Sequence, residues 1–256
     1  MQGEFFAYLT LIGLANTAVA LTSLLGARLE WRIAAITASG AVMMAASGWL
    51  RRRSLRSSES WGDMALASRR LPQLAVPISL FLVLLVPGNP EFGQMAAFLF
   101  ASIGYGLLAE YFPSVVFVHA AMWSSVGAIL FALKAVALPG EWYAAAAAVL
   151  APVYLIAGRA LRQRLIDFAP PRRGYQGAVN LVGFGLVIVA IIAGFISLIV
   201  DVWAGVIALT LASAVLAWCA YLFRRPAFAF LASGLFIAPL TVAAARWLYV
   251  ADVPQW

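Results

Sequence analysis

Charge is the scarcest ingredient of this chain. Of its 256 residues, 11% are Asp, Glu, Lys or Arg and 64% are apolar, where soluble domains carry roughly 25% charged and 45–50% apolar residues. So little polar material cannot clothe a water-soluble core of this size. Disorder, a collagen-like rod and a nucleic-acid module are excluded with it. Lysine is nearly absent, Lys134 being the only one among seventeen basic residues. There is one cysteine, Cys219, so an internal disulfide is excluded, and an apolar-flanked lone cysteine reads as a small buried hydrophobe. There is one histidine, His119, so no pair of axial haem histidines can come from this chain and no metal-spaced His/Cys set exists. Walker loops, dinucleotide fingerprints and paired carboxylates are missing too.

The ten acids are Glu4, Glu30, Glu59, Asp63, Glu91, Glu110, Glu141, Asp167, Asp201 and Asp252. Each is expected at a span end or in a loop. Without a carboxylate at mid-membrane, proton coupling of the usual kind and catalysis by this chain alone lose their chemistry.

What the chain does have is long apolar runs. A helix needs about 20 apolar residues to cross roughly 30 Å of hydrocarbon. Nine segments meet or approach that length: 4–26, 30–51, 72–88, 91–112, 114–137, 142–163, 175–200, 202–223 and 227–250. Proline and glycine punctuate them at Pro87-Gly88-Asn89-Pro90, Pro113, Pro139-Gly140, Pro170-Pro171 and Pro226. The third segment is the shortest and carries Pro72 and Pro77, which favours a kink or a start within the headgroup layer. The first run follows Glu4 rather than a basic stretch and reads as a span, not a cleaved signal. The expected fold is therefore all-α, a polytopic transmembrane bundle of about nine spans.

The net charge of +7 is a topology signal rather than a partner signal. With the N-terminus inside, thirteen basic residues fall in the cytoplasmic loops: Arg51, Arg52, Arg53, Arg56, Arg69, Arg70; Arg159, Arg162, Arg164, Arg172, Arg173; Arg224 and Arg225. Four face the other side: Arg28, Arg32, Lys134 and Arg246. The positive-inside rule then places the chain N-in and C-out, in what reads as a bacterial plasma membrane. Trp31, Trp142, Trp203 and Trp247 fall near the outer interface, Trp49 and Tyr221 near the inner one, as an aromatic belt requires.

The chain also repeats itself with a period of 111–114 residues. Glu30-Trp31 through Leu50-Arg51-Arg52-Arg53 corresponds to Glu141-Trp142 through Leu161-Arg162-Gln163-Arg164, and Gln255-Trp256 starts the phase again. Pro226-Ala-Phe-Ala-Phe echoes Pro113-Ser-Val-Val-Phe. Four helices per unit is an even number, so successive units point the same way, as in parallel repeats. The expected division is 1–112 with a cytoplasmic loop at about 52–71, then 113–225, then 226–256 as the first helix of a third unit. A chain ending at that phase reads as part of a longer repeat-built protein.

Candidate residues are few. His119 is the one possible pigment or haem axial ligand, but its repeat counterparts are Tyr8 and Ala232, and a packed histidine is the plainer expectation. Asn16, Ser124, Ser125 and Thr210 are the candidate cavity-lining set, with Thr17, Ser79 and Ser213 also in mid-span. Lys134, Arg159 and Arg246 read as headgroup anchors near helix ends. Small residues four apart, Ala41/Ala45, Ser102/Gly106, Ala144/Ala148 and Ala190/Gly194, suit close helix approach. Ser39-Gly40, Ser47-Gly48 and Ser233-Gly234 serve the same end better than serine catalysis. The sequence thus predicts a non-catalytic membrane subunit or scaffold with no cofactor and no metal. Its expected partners are membrane lipids, other membrane subunits or further repeats, and not nucleic acid. The alternative is a transporter, channel or flippase for a neutral or amphipathic substrate. A quinone-facing subunit, its chemistry supplied by a partner, is the weaker third.

Overall fold

The computed structural model describes residues 2–54, 59–87, 90–165 and 174–251. Arg56, Asp167, Arg172, Arg173, Asp252 and the Gln255-Trp256 echo lie outside them. Nine α-helices and no strand occur among the described residues: α1 (Gln2–Leu24), α2 (Leu29–Ser54), α3 (Glu59–Leu84), α4 (Glu91–Tyr111), α5 (Val115–Ala135), α6 (Tyr143–Leu165), α7 (Tyr175–Val200), α8 (Val202–Phe223) and α9 (Pro226–Ala251). A 3₁₀ turn, Gly140–Trp142, leads into α6. Eight of the nine are long and apolar enough to cross a membrane. The protein is a polytopic helical membrane bundle.

The exception is α3, which carries Arg69 and Arg70 near its middle and both Pro72 and Pro77 inside it. It starts thirteen residues before the predicted segment 72–88, so most of the stretch read as a loop at 52–71 is helical. Packing is the reason. Met64, Ala67 and Leu71, spaced by three and four residues, form an apolar stripe that joins Ala7 and Leu11 of α1 and Met43 of α2. A short polar-looking segment becomes helix because its one apolar face has somewhere to go.

Contacts divide the chain into two compact units, 1–137 with 168–175, and 138–167 with 176–256. The first thus holds α1 to α5. This contact boundary falls one helix after the repeat boundary at 112/113, and the two are different divisions of the chain.

In the first unit, α2 and α4 run parallel and meet through a regular alternation of small residues. Ala34, Ala41 and Gly48 recur every seven residues on α2, facing Ala97, Gly104 and Tyr111 at the same interval on α4. A Cβ on Gly104 would come within 2.9 Å of the Ala41 Cα, and one on Gly48 would run into the Tyr111 ring. One on Gly93 would strike the side chain of Glu30, which is only 7% exposed in the first turn of α2. Ala41 is thus an interface residue, as its spacing predicts. Ser102/Gly106 is not: Gly106 is exposed, and a Cβ there would meet nothing within 4 Å. That pair lies on the wrong face of α4 by half a turn.

Polar groups in this unit close backbone gaps. Gln94 Nε2 donates to the carbonyl oxygen of Val83 at 3.0 Å, one of the last-turn carbonyls of α3 that has no partner within its own helix. Thr37 Oγ1 and Ser79 Oγ lie 2.9 Å apart, so that one hydroxyl donates to the other and links α2 to α3, while the accepting one donates to a carbonyl of its own helix, Ile33 O or Val76 O. Such interhelical bonds are worth about 0.6 kcal/mol each on average. They are small against the close packing around them.

The second unit holds α6 to α9. Ala144, Ala145, Ala147, Ala148 and Ala151 are all buried on α6. A Cβ on Gly183 of α7 would reach within 2.8 Å of Leu155, and one on Gly194 within 2.9 Å of Leu209 on α8. The pairs Ala144/Ala148 and Ala190/Gly194 are therefore packing positions, as read from the sequence. Between α7 and α8 stands a single residue, Asp201, whose carboxylate accepts from Trp203 N at 3.0 Å and Ala204 N at 3.4 Å. So tight a hairpin needs Gly205, since a Cβ there would sit 2.6 Å from Leu198 N. Ser197 Oγ donates to Glu141 O at 3.0 Å and Ser213 Oγ to Ala232 O at 2.7 Å, tying the unit's helices together.

The two glycines of α4 give a direct test. Gly104→Val is expected to cost about 1–3 kcal/mol through overpacking, seen as a lower unfolding midpoint of the full chain in detergent. Gly106→Ala is expected to be neutral or to raise the midpoint, alanine being about 1 kcal/mol better than glycine within a helix. Equal effects at the two positions would contradict the α2–α4 interface.

Candidate functional site

The residues singled out from the sequence lie on α1 and α5 of the first unit and α8 of the second. Asn16 and Thr17 are exposed on α1, and Thr17 Oγ1 donates to its own helix at Gly13 O, 2.8 Å away. On α5, Ser124 is buried, and Ser125 is half-buried with its hydroxyl 2.6 Å from Met122 O. Thr210 is half-buried on α8. None of the four lines either of the two cavities of the second unit. His119 is half-buried on α5, next to the buried Val118. Cys219 is fully buried. No cluster of three or more His, Cys, Asp or Glu side chains able to hold a metal occurs among the described residues.

The acids lie where helices begin or end. Glu30 and Glu91 stand in the first turns of α2 and α4, and Glu110 stands at the last turn of α4. Asp201 caps α8, and Glu141 sits in the 3₁₀ turn. Lys134, on the last turn of α5, pairs with Glu91 at 3.4 Å. This ion pair joins the two helices where α5 ends and α4 begins, with the lysine half exposed, and contributes about 0–1 kcal/mol.

Basic residues gather at the other end of the same unit. The guanidinium carbons of Arg51 and Arg69 lie 5.0 and 4.6 Å from the centre of the Phe112 ring. Arg52 lies 5.3 Å from Tyr111, and Arg53 lies 5.1 Å from Trp49. Arg51 Nη1 also donates to Tyr111 O at 3.3 Å, satisfying a carbonyl at the end of α4. Each ring attracts the cation through its negative face, worth about 0.5–1 kcal/mol at exposed positions. The cluster pins the end of α2 and the middle of α3 to the end of α4, so its geometry is that of a clasp.

Two cavities stand out among the described residues of the second unit. One, of about 260 Å³, opens between the C-terminal ends of α6 and α8 and the start of α7. It is lined by Arg159, Arg162, Gln163, Gln176, Asn180, Leu222 and Phe223. Gly158 seats Asn180 in it, because a Cβ at 158 would collide with the Asn180 amide. The Asn180 Oδ1 is buried without a hydrogen-bond partner, as are Gln73 Nε2 and Gln94 Oε1 of the first unit. The other cavity, of about 550 Å³, runs between α7, α8 and α9 and is walled by Phe184, Val187, Ile188, Ile191, Phe195, Leu216, Phe228, Leu231 and Gly234, among others. Every one of its side chains is apolar.

Three packed phenylalanine rings stand between the two. Phe223, in the wall of the polar cavity, lies 5.6 Å from Phe184 and 6.2 Å from Phe228, both in the wall of the apolar one. Phe184 and Phe228 are stacked at 5.6 Å with 5° between their planes. Arg159, read from the sequence as an anchor, is thus a cavity residue. Gln163, Gln176 and Asn180 were not singled out at all. Their signal was present: Gln176, Asn180, Phe184, Ile188, Ile191 and Phe195 follow helical spacing along one stripe of α7.

No protein-family model matches this chain, and no curated protein and no solved structure matches it either. Geometry alone carries the functional reading.

The clasp yields its own test. Phe112→Leu keeps an apolar side chain in place but removes the ring under two guanidinium groups. The expected loss is about 1–2 kcal/mol, read as a lower unfolding midpoint in detergent, and an unchanged midpoint would show that the two contacts carry nothing.

Proposed function

We propose that this chain is a non-catalytic integral membrane subunit or scaffold, packing with other membrane proteins and with lipids. The observation that supports it best is where the polar groups of the spans go. Thr17, Thr37, Ser79, Ser125, Ser197 and Ser213 all direct their hydroxyls to backbone carbonyls or to each other. Thr17 and Ser125 are satisfied within their own helices, while the Thr37–Ser79, Ser197 and Ser213 bonds join different elements, so these hydroxyls serve the fold rather than a substrate. The same reading has the basic clasp of the first unit and the basic loops facing the cytoplasm of a bacterial plasma membrane, by the positive-inside rule. Trp31, Trp49, Trp203, Tyr221 and Trp247, all exposed, then form its two interfacial belts. It also holds that the chain is built from a parallel four-helix repeat, with 1–112 and 113–225 as its units and 226–256 as the first helix of a third.

The second reading is a transporter, channel or flippase for a neutral or amphipathic substrate. The observation in its favour is the 550 Å³ apolar cavity of the second unit. Purification from the native membrane in mild detergent separates the two. A scaffold is expected to bring down at least one membrane protein in fixed stoichiometry that cross-links to it before solubilisation. A chain that purifies alone and, once reconstituted, moves a fluorescent amphiphile across vesicles faster than protein-free controls would overturn the scaffold reading.

A further inference from the structure

We propose that the two cavities of the second unit form one binding site for a single anionic phospholipid. Its phosphate lies at Arg159 and Arg162, and an acyl chain lies along α7. The proposal depends only on the membrane placement of the chain and stands whether or not the scaffold reading holds.

Three observations converge on this occupant. The first is the pattern along α7. One stripe begins with two amides, Gln176 and Asn180, and continues as Phe184, Ile188, Ile191 and Phe195. A surface that is polar for its first turn and apolar thereafter matches a molecule built the same way. The second is charge. Arg159 and Arg162 are three residues apart on α6, so both guanidinium groups reach the same cavity. Arginine presents a planar fork of donors that suits phosphate, and it is more weakly hydrated than lysine, so it gives up water more readily. The amides beside it supply neutral donors for ester oxygens.

The third is length. From Phe184 to Phe195 the apolar groove follows α7 for eleven residues, about 16 Å at 1.5 Å per residue. That is close to half of the roughly 30 Å hydrocarbon core, the depth of a single leaflet. A transmembrane helix of a partner would need a groove across the full thickness, and a soluble anion would need no groove at all. The groove also has the larger volume, about 550 against 260 Å³, as expected when the tail outweighs the head. The Phe184, Phe223 and Phe228 rings stand where head and chain would join. On α9 the groove is lined by Gly234, where a Cβ would meet nothing within 4 Å, so there is room for a larger side chain.

That last feature gives a clean perturbation. Gly234→Phe fills the groove from outside the packed helix contacts, and Gly13→Phe on α1, which likewise meets nothing within 4 Å, is its matched control. Arg159→Gln with Arg162→Gln removes the charge and leaves the groove. The full chain in neutral detergent is titrated with phosphatidylglycerol, phosphatidylcholine or inorganic phosphate, and bound lipid is counted by native mass spectrometry. One phosphatidylglycerol is expected to bind at least tenfold more tightly than phosphatidylcholine, with inorganic phosphate failing to displace it. The double glutamine variant is expected to lose that preference, and Gly234→Phe to weaken both lipids at least fivefold while Gly13→Phe changes nothing. Equal binding of the two lipids by the unaltered chain would overturn the proposal. So would displacement by inorganic phosphate, which would mark a free-anion site, or full binding by Gly234→Phe. Should the double glutamine variant fail to fold, the lipid preference and the Gly234 contrast decide the matter by themselves.

Discussion

Hydrocarbon gives helices no reason to come together except the contact itself. In water, burying apolar surface drives association, but lipid tails are as apolar as leucine, so that force vanishes between membrane helices. What is left is dispersion at short range, about 0.1–0.2 kcal/mol for each well-placed atom pair, and it accumulates only where backbones approach closely. The seven-residue spacing of Ala34, Ala41 and Gly48 against Ala97, Gly104 and Tyr111 is one such contact. Most of the first unit follows from it. Once α2 and α4 are side by side, α3 packs on α2 through Gly40, Val76 and the Thr37–Ser79 bond. On the far side, α5 meets α4 through Ala101, Tyr105, Phe117 and Ala121. The clasp of arginines on Phe112 and the Gln94 cap on α3 then close the ends.

The second unit obeys the same constraint over part of its length and departs from it over the rest. Where α6, α7 and α8 meet, alanines and glycines again let backbones touch. Where α9 joins, Ala232 lies close against α8 through the Ser213 bond, but Phe228 meets Phe184 and Phe223 ring to ring, and α9 leaves most of its apolar surface open. Phenylalanines hold helices apart as well as together, and a gap of about 550 Å³ results. Empty space lined by apolar side chains forfeits contacts, so it is either filled by lipid or a standing cost. Tight packing in one unit and a filled groove in the other are two consequences of one rule.

The class of fold was legible because it depends on composition and on run length, which neighbours do not change. Eight of the nine helices were placed to within a few residues for that reason. The start of α3 was hidden because residues 59–71 are too polar to signal a span, and their helix exists only through the stripe of Met64, Ala67 and Leu71 packed on α1. Small-residue spacing identified Ala41, Ala144, Ala148, Ala190 and Gly194 as contacts, but it gave Ser102/Gly106 the same weight, since spacing alone does not say which face of α4 is covered. The polar cavity was missed for a related reason. A search for carboxylates, histidines and mid-span hydroxyls passes over amides and arginines near helix ends, and only the fold brings Arg159, Arg162, Gln176 and Asn180 to one place.

The central claim is that the spans are held by dry, close helix contacts built on small residues. Amide hydrogen exchange of the full chain in lipid nanodiscs tests it most directly. Residues 33–48 of α2 and 97–108 of α4 are predicted to remain protected for hours, with exchange confined to helix ends and loops. Exchange within seconds to minutes along those stretches would mean that water lines the α2–α4 seam, and the account would fail.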